Sequence, residues 1–270
     1  MSEKFLHRGD APFSETVWST LDAAVLGAAT SQLSGRRILH IDGPFGLGLK
    51  AVPGADKAAK EAGAGSVAVL FSESTPVAKI EATFTLAARD IAAFESSGLP
   101  MNLDGPCLAA VACAQQEDAL IYSGAKELGV SGLLTAKGTE SLKLGSWAEV
   151  GAAADDLIKA VTRLDAAGFH GPYTLALAPA LYNLLYRRYS QGPMTELEHL
   201  RTIATEGVVK APGIAAGGVL LASGRQFASI IMGQDLTTGF IGPAGGGYEL
   251  FISESLALRL AVPAAVCVLK

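Results

Sequence analysis

The sequence predicts an α+β fold, because patterns typical of helices and patterns typical of strands lie in separate stretches of the chain. Apolar residues recur at helical spacing in several segments before residue 207. From Gly218 onward, short apolar runs separated by glycines predict strands instead. A third stretch, residues 45–80, has few large apolar side chains and predicts an arm outside the core.

The first helix is predicted over residues 14–33, where one apolar stripe follows a helical face. Ser14 is placed to be the N-cap, since its hydroxyl can accept a hydrogen bond from an unpaired backbone N–H, and Gly35 ends the segment. A short strand is predicted over residues 37–41. The stripe consists of Val17, Trp18, Leu21, Val25 and Ala28.

The arm is predicted to be a two-stranded ribbon. Val67, Val69 and Phe71 alternate with small or polar residues, and the run over residues 79–86 alternates in the same way. An isolated pair of strands is at best marginally stable in water. We therefore expect the arm to pack against a neighbouring subunit.

Three further helices and a group of strands follow the arm. Asp104 opens a helix that runs to about residue 123. Residues 146–149 and 195–198 both have the form Ser/Thr-x-x-Glu, which predicts a capping box at the start of a helix. A short helix is predicted over residues 181–189. Strands are predicted over residues 173–178, 219–222, 227–232, 236–241 and 248–262.

The composition indicates a chain that hides much of its surface. Half of the residues are hydrophobic and only 17% are charged, below the quarter or so that is usual, which favours contacts with further copies of itself. A formal net charge of −5 gives no basic face for nucleic acid. No apolar stretch reaches the ~18 residues of a membrane-spanning helix. Three cysteines argue against a secreted disulfide framework, so the cytoplasm is the expected location.

The sequence offers little support for catalysis, a metal or a cofactor. The glycine-rich run over residues 43–48 lacks the Gly-Lys-Ser/Thr of a phosphate-binding loop and predicts a turn. The cysteines and histidines do not have the spacing of a zinc site. Two pairs of adjacent carboxylates point ~100° apart on predicted helices, which favours solvated faces or ion pairs over an acid/base pair. These pairs are Glu117 with Asp118 and Asp155 with Asp156.

Several short stretches, spread over the whole chain, match one known family in order and spacing. They are Ala11-Pro12-Phe13-Ser14, Gly43-Pro44-Phe45-Gly46, Glu81-Ala82-Thr83-Phe84-Thr85-Leu86, Gly129-Val130-Ser131-Gly132-Leu133-Leu134, Gly171-Pro172-Tyr173-Thr174-Leu175, Gly233-Gln234-Asp235-Leu236 and Leu250-Phe251-Ile252-Ser253-Glu254-Ser255. On these stretches the chain resembles the encapsulins, also called linocin-type shell proteins. The resemblance implies a phage-capsid-like fold. Its parts would be a peripheral domain (residues 1–44, 83–132 and 223–270), an extended loop arm (45–82) and an axial domain (133–222).

The resemblance also implies a function. The chain would be the subunit of a homo-oligomeric icosahedral shell that gates small molecules through pores. The shell would enclose a cargo enzyme, either a ferritin-like iron protein or a dye-decolourising peroxidase, bound through a carboxy-terminal targeting peptide. Two alternatives stay open at this point. One is a prophage capsid protein that packages DNA, and the other is an enzyme of the protease or bacteriocin type.

Two functional surfaces are implied by the resemblance. A cargo-peptide pocket between the first helix and the last strands would be lined by Ala29, Leu33, Arg36, Ile38, His40, Phe240, Leu250 and Ile252, with core packing as the alternative for each. A five-fold pore loop would consist of Arg187, Arg188, Tyr189, Ser190, Gln191 and Gly192. Its arginines would form a cationic ring, or would instead neutralise a helix carboxyl terminus. Some relatives bind flavin beside an aromatic residue where this chain has Arg89, so no flavin is expected.

Overall fold

Two β-sheets, each with its own hydrophobic core, organise the protein. The structure is a computed structural model that describes residues 3–58, 69–190 and 192–270. The helices are α1 (Glu15–Gln32), α2 (Ala88–Ser97), α3 (Asp104–Tyr122), α4 (Ala152–Ala166), α5 (Pro179–Leu184) and α6 (Glu196–Ile203). The strands are β1 (His40–Asp42), β2 (Ala51–Ala58), β3 (Leu70–Pro76), β4 (Ala78–Ala87), β5 (Gly124–Ala125), β6 (Val130–Ser131), β7 (Glu140–Leu142), β8 (Tyr173–Leu177), β9 (Gly207–Lys210), β10 (Gly218–Ala222), β11 (Ala228–Ala244), β12 (Gly247–Leu260) and β13 (Val266–Leu269).

The first unit is a four-stranded sheet in the order β1-β11-β12-β4, together with α1 and α3. The long strands β11 and β12 form an antiparallel hairpin, β4 pairs antiparallel with β12, and β1 pairs parallel with β11. Helix α3 contacts α1, β4 and β12, so the apolar stripe of α1 is buried. The core of this first unit includes Leu21, Ile121, Tyr122, Leu250 and Ile252, whose side chains are all fully buried.

The second unit is a five-stranded sheet in the order β7-β13-β10-β8-β9, with α4, α5 and α6. Every residue of β8, β10 and β13 is buried. Strand β13 pairs parallel with β7 and antiparallel with β10. The resemblance implied one domain for residues 223–270, and of the strands in this range β11 and β12 lie in the first sheet while β13 lies in the second. The division into peripheral and axial domains stays a prediction.

The arm consists of β2 and β3, which pair antiparallel with each other. The predicted pairing of the run 79–86 within the arm is wrong. This run lies in β4, which pairs with β12 because Ile80, Phe84 and Leu86 are buried in the core of the first unit. Val67 lies outside the described residues. On β3 and just before it, Val69, Leu70 and Phe71 are 53%, 59% and 63% exposed.

Most of the predicted helices are confirmed, but two differ in their bounds: α5 covers Pro179–Leu184 instead of residues 181–189, and α4 begins later than predicted. Helix α1 begins directly after Ser14, although the Ser14 hydroxyl makes no capping hydrogen bond. Helix α3 spans the predicted range, and Thr195 forms the predicted capping box with Glu198. The capping box predicted at residues 146–149 is wrong, because α4 begins only at Ala152.

Tertiary contacts explain why no helix begins at Ser146. The indole Nε1–H of Trp147 donates to Asp156 Oδ2 at 3.0 Å, and the N–H of Gly151 donates to the buried Glu196 at 2.6 Å. Gly151 then has a φ of 107°, a left-handed conformation that glycine adopts without strain. These contacts hold residues 147–151 as turns, and the helix starts after them.

Further differences concern several strands and one helix. The predicted strand over residues 37–41 is instead a 3₁₀ turn, Gly35–Arg37, followed by β1. The strands predicted over residues 227–232 and 236–241 are one continuous strand, β11, whose register shifts between Met232 and Thr237. Helix α2 was not predicted, nor were the strands β2, β5, β6, β7, β9 and β13.

Candidate functional surfaces

Most of the residues predicted to line a cargo pocket belong to the core of the first unit. Ala29, Leu250 and Ile252 are 1%, 0% and 0% exposed, so a bound peptide would meet them only if the core opened. The burial of these three residues fits the core-packing alternative, and a role for them in cargo binding stays a prediction. Ile38 and Phe240 are also buried, with 6% and 7% of their surface exposed at the edge of the core.

The remaining predicted residues lie in or beside the turn between α1 and β1. Leu33 is half-buried, the side chain of Arg36 is 16% exposed and that of His40 is 53% exposed. The Nε2 atom of His40 lies 3.5 Å from Asp42 Oδ1. One short segment, from the end of α1 to the start of β1, therefore contains Leu33, Arg36 and His40.

A groove of about 800 Å³ lies between the amino-terminal segment, α1 and β11. The groove lies along the same helix as Ala29, on residues nearer the amino end of that helix. The sequence did not single it out. Its apolar lining includes Leu6, Trp18, Leu26 and Leu236.

Arg8 fixes the polar part of this groove. Its Nη1 and Nη2 atoms donate to Asp22 at 2.8 and 2.6 Å, and its Nε donates to the carbonyl of Thr238 at 3.0 Å. The guanidinium also lies 4.6 Å from the centre of the Trp18 ring. Arg8 therefore ties the amino-terminal segment to both walls of the groove.

Arg36 is held by three carboxylates from three different elements. Its Nε and Nη2 donate to Glu117 of α3 at 2.8 and 2.7 Å, Nη2 also donates to Glu254 of β12 at 2.9 Å, and Nη1 donates to Asp235 of β11 at 2.7 Å. Glu117 and Glu254 are 0% and 1% exposed. Burial, reinforced by the charge of Glu117, raises the pKa of Glu254 to about 9. Arg36 is therefore a structural residue rather than a side chain that is free to bind a ligand.

Asp118 holds the same turn from the other side. Its carboxylate accepts hydrogen bonds from the backbone N–H of Ser34 at 3.0 Å, from the Ser34 hydroxyl at 2.5 Å and from the N–H of Gly35 at 2.8 Å. Burial raises its pKa despite these donors. The sequence left this carboxylate as a solvated residue or an ion-pair partner. Its spacing of four from the buried Ala114 and Tyr122 was the signal that it faces the core.

The two arginines of the predicted pore loop differ. Arg187 points inward, where its Nη2 donates to the fully buried Glu196 at 3.0 Å and its Nε donates to the carbonyl of Leu184, the last residue of α5, at 2.9 Å. These contacts are those expected for the helix-terminus alternative, and a place for Arg187 in a pore stays a prediction. Arg188 is exposed.

The rest of the loop is anchored at Tyr189, whose Oη lies 2.7 Å from Nδ1 of His199 on α6. Ser190 and Gly192 are exposed, and Gln191 lies outside the described residues. Arg89 is an exposed residue of α2.

The described residues hold no cluster of three or more His, Cys, Asp or Glu side chains that is arranged to bind a metal ion. None of the helices in this part of the chain combines the length and the apolar character that a bilayer span requires.

Solved structures show what class of protein has this fold. A virus-like particle from Pyrococcus furiosus matches with a TM-score of 0.75 and 22% identity, over 94% of this chain and 99% of that chain. The capsid of Myoviridae phage XM1 matches with a TM-score of 0.59 and 15% identity, over 86% and 88%. The fold is thus that of the subunits from which capsid-like shells are built.

Sequence comparison narrows this class to one family. The family model Linocin_M18, described as an encapsulating protein for peroxidase, matches residues 3–257. The type 1 encapsulin shell protein EncA of Myxococcus xanthus is 32% identical over 276 residues, which cover 98% of this chain and 96% of that protein. The chain belongs to the encapsulin family of shell proteins.

Proposed function

We propose that this chain assembles into a closed, homo-oligomeric icosahedral compartment in the cytoplasm that encloses a cargo enzyme and is not itself an enzyme. Support for assembly comes from the arm. Its three consecutive exposed apolar side chains, Val69, Leu70 and Phe71, lie on or beside a ribbon of only two strands. Burial against a neighbouring subunit stabilises each large side chain by about 1.5–3 kcal/mol and gives the ribbon further contacts that it lacks alone.

Assembly is tested by two substitutions at one arm position. In Phe71→Asp a charge replaces an apolar side chain that is already exposed in the subunit, so the subunit still folds but the contact between subunits is lost. Phe71→Leu keeps the apolar contact and is the matched control. Electron microscopy and size-exclusion chromatography should show hollow particles for the wild-type and Leu proteins and small species for the Asp protein. A wild-type chain that stays monomeric at micromolar concentration would contradict the proposal.

The cargo is proposed to be a peroxidase of the dye-decolourising type or a ferritin-like iron protein. The matching family model is described as encapsulating a peroxidase, which supports the first of these. We propose that a carboxy-terminal cargo peptide with Leu or Ile side chains binds along α1, in the groove next to Leu26 and toward Leu33. Leu26 is 61% exposed on the groove wall, so a bound apolar peptide would bury it.

Cargo binding is tested with a fluorescent protein that carries such a peptide, co-expressed with the shell. Leu26→Asp and Leu33→Asp shells should assemble but retain much less reporter. Ile158→Asp is the control for Leu26→Asp, because Ile158 is a large apolar residue on α4 of the second unit that is also exposed, by 50% against 61% for Leu26. If both α1 variants retain the reporter at wild-type stoichiometry, the binding surface lies elsewhere.

Pore gating is proposed to depend on Arg188 alone. Five copies of an exposed arginine around a five-fold axis would concentrate small anions and repel cations. Entry of a small anion and a small cation should therefore change in opposite directions in Arg188→Glu shells. Arg201→Glu, an exposed arginine on α6, is the control. Equal relative entry rates in the Arg188→Glu and wild-type shells would rule out this role.

A further inference from the structure

The Arg36 cluster contains more negative than positive charge. One guanidinium meets Glu117, Glu254 and Asp235, and both buried carboxylates bind to its Nη2 atom. Asp235 is 62% exposed, so water stabilises its charge. Glu117 and Glu254 are almost completely buried, and two buried negative charges on one positive group leave one charge uncompensated.

One oxygen of Glu254 identifies where a proton would be held. Within the described part of the chain, its buried Oε1 atom has no hydrogen-bond partner, whereas its Oε2 atom accepts from Arg36. A buried polar atom without a partner is costly. Protonation of the Glu117–Glu254 pair removes the uncompensated charge.

The charged side chains around Glu254 lie on the elements packed against it. Most of them favour the protonated form of Glu254. The negative charges of Glu117 on α3 and Asp235 on β11 raise the pKa of Glu254, whereas the positive charge of Arg36 lowers it. Cys113 on α3 lies within range of the charges of both Glu254 and Glu81 of β4, and with burial they raise the pKa of that thiol to about 11. The thiol is therefore neutral at physiological pH and adds no charge.

The cluster controls one particular segment. Arg36 lies in the 3₁₀ turn Gly35–Arg37 that joins α1 to β1, and the three carboxylates attach this turn to α3, β11 and β12. We propose that the cluster is a proton-dependent latch, which holds the α1–β1 turn closed while Glu117 and Glu254 share one proton and releases it when that proton is lost. This proposal does not depend on where cargo binds.

The direction of the pH dependence follows from the raised pKa of Glu254. The closed turn binds the proton more tightly than an open turn, in which the carboxyl returns to an ordinary pKa near 4.5. The stabilisation is therefore complete below about pH 4.5 and is lost progressively as the pH rises toward about 9. Over this range, opening of the turn releases one proton, so the opening equilibrium rises about tenfold per pH unit.

Hydrogen exchange of the turn measures this equilibrium in assembled shells. The reporters are the amides of Ile38 and Leu39, which both donate to the carbonyl of Gly35. After correction for intrinsic exchange rates, wild-type protection should fall about tenfold per pH unit between about pH 6 and about pH 9 and then level off. Glu254→Gln cannot ionise, so its protection should depend much less on pH than that of the wild type; the dependence that remains reports Asp118, which binds the same turn and whose pKa burial also raises. Helix α4 of the second unit supplies control amides without this dependence.

Asp235→Asn gives a second test that does not disturb the buried pair. Loss of a neighbouring negative charge lowers the pKa of Glu254, so the fall in protection should end at a lower pH than in the wild type. The latch is overturned if wild-type protection is independent of pH, if Glu254→Gln keeps the wild-type slope, or if Asp235→Asn leaves the end point unchanged.

Discussion

Asp118 illustrates how much one buried side chain contributes to this fold. It accepts hydrogen bonds from two backbone N–H groups and one hydroxyl of the turn after α1. Asp118→Ala leaves these donors without a partner, and each buried unpaired donor costs about 1–3 kcal/mol. We expect a loss of about 2–4 kcal/mol in the free energy of unfolding and a fall in Tm of roughly 5–10 °C by calorimetry.

The control for this prediction is Asp155→Ala, in which an exposed carboxylate on α4 is removed. Its Tm should stay close to that of the wild type, since surface substitutions usually change stability by less than about 0.5 kcal/mol. Equal effects of the two substitutions would mean that the turn does not depend on Asp118.

Asp156 supplies a prediction about pH. Burial alone would raise its pKa, but donors from the Gly145 N–H, Lys159 and Trp147 together lower it. A carboxyl with a lowered pKa stabilises the fold above its ordinary pKa of 3.8 and loses this contribution as the pH falls through its folded value. Asp156→Asn should therefore lower the Tm at pH 7 and reduce the further loss of Tm on acidification below about pH 4.

The measurement for Asp156 is a series of thermal melts from neutral pH to about pH 3. Asp155→Asn, at the adjacent exposed position, should follow the wild-type curve. Parallel curves for Asp156→Asn and the wild type would show that this carboxylate does not contribute to acid sensitivity.

At the scale of residues, the sequence predicted types of interaction better than it predicted partners. It favoured ion pairs or solvated faces for the adjacent carboxylates, and Glu117 is indeed an ion-pair partner. The partner, Arg36, lies 81 positions away in the sequence. No local pattern encodes that separation. Arg187 is a second case in which the partner was not predicted, because its guanidinium turns inward toward Glu196.

At the scale of elements, Thr195 and Ser146 form a matched pair. Both begin a Ser/Thr-x-x-Glu sequence, but only Thr195 caps a helix. Loss of a capping hydroxyl costs about 1 kcal/mol, so Thr195→Ala should lower the Tm by about 2–4 °C. Ser146→Ala should have almost no effect, because its hydroxyl accepts only a 3.3 Å bond from Ala148 in an exposed turn. A larger effect of Ser146→Ala than of Thr195→Ala in calorimetric melts would contradict this assignment.

The same pair shows why local patterns predict some elements and not others. The helices α1 and α3 are long and periodic, so their own residues determine them. The start of α4 is determined instead by Trp147 and Gly151, which donate hydrogen bonds to Asp156 of α4 and to Glu196 of α6. The sequence pattern assigned strand β4 to the arm for a related reason. Its alternation of apolar and polar residues fits pairing either with the arm or with β12, and only burial against β12 selects that strand as the partner.

At the scale of the whole molecule, Cys267 tests whether β13 holds the second unit together. It is fully buried and pairs with Leu220 of β10 on one side and Glu140 of β7 on the other. Cys267→Asp places a carboxylate in this core, which costs several kcal/mol even after relaxation. We expect little soluble protein and no particles in gel filtration. Ala261→Asp, at an exposed position before β13, should assemble as the wild type does.

The general architecture was more predictable than its connections. The separation of helical and strand patterns gave the α+β class, and the order of short stretches gave the family. The pairing of β1 with β11, and the insertion of β13 between β7 and β10, join segments more than 40 residues apart in the sequence. Such pairings are selected by packing of the whole chain rather than by local residues.

The position of β13 has a consequence for the timing of synthesis. Because β13 follows β7 and β10 along the chain yet lies between them in the sheet, these two strands cannot be joined before residues 266–269 have been synthesised. The second unit is therefore completed only when β13 has been inserted, so a subunit that enters a growing shell with this unit intact must already contain that strand.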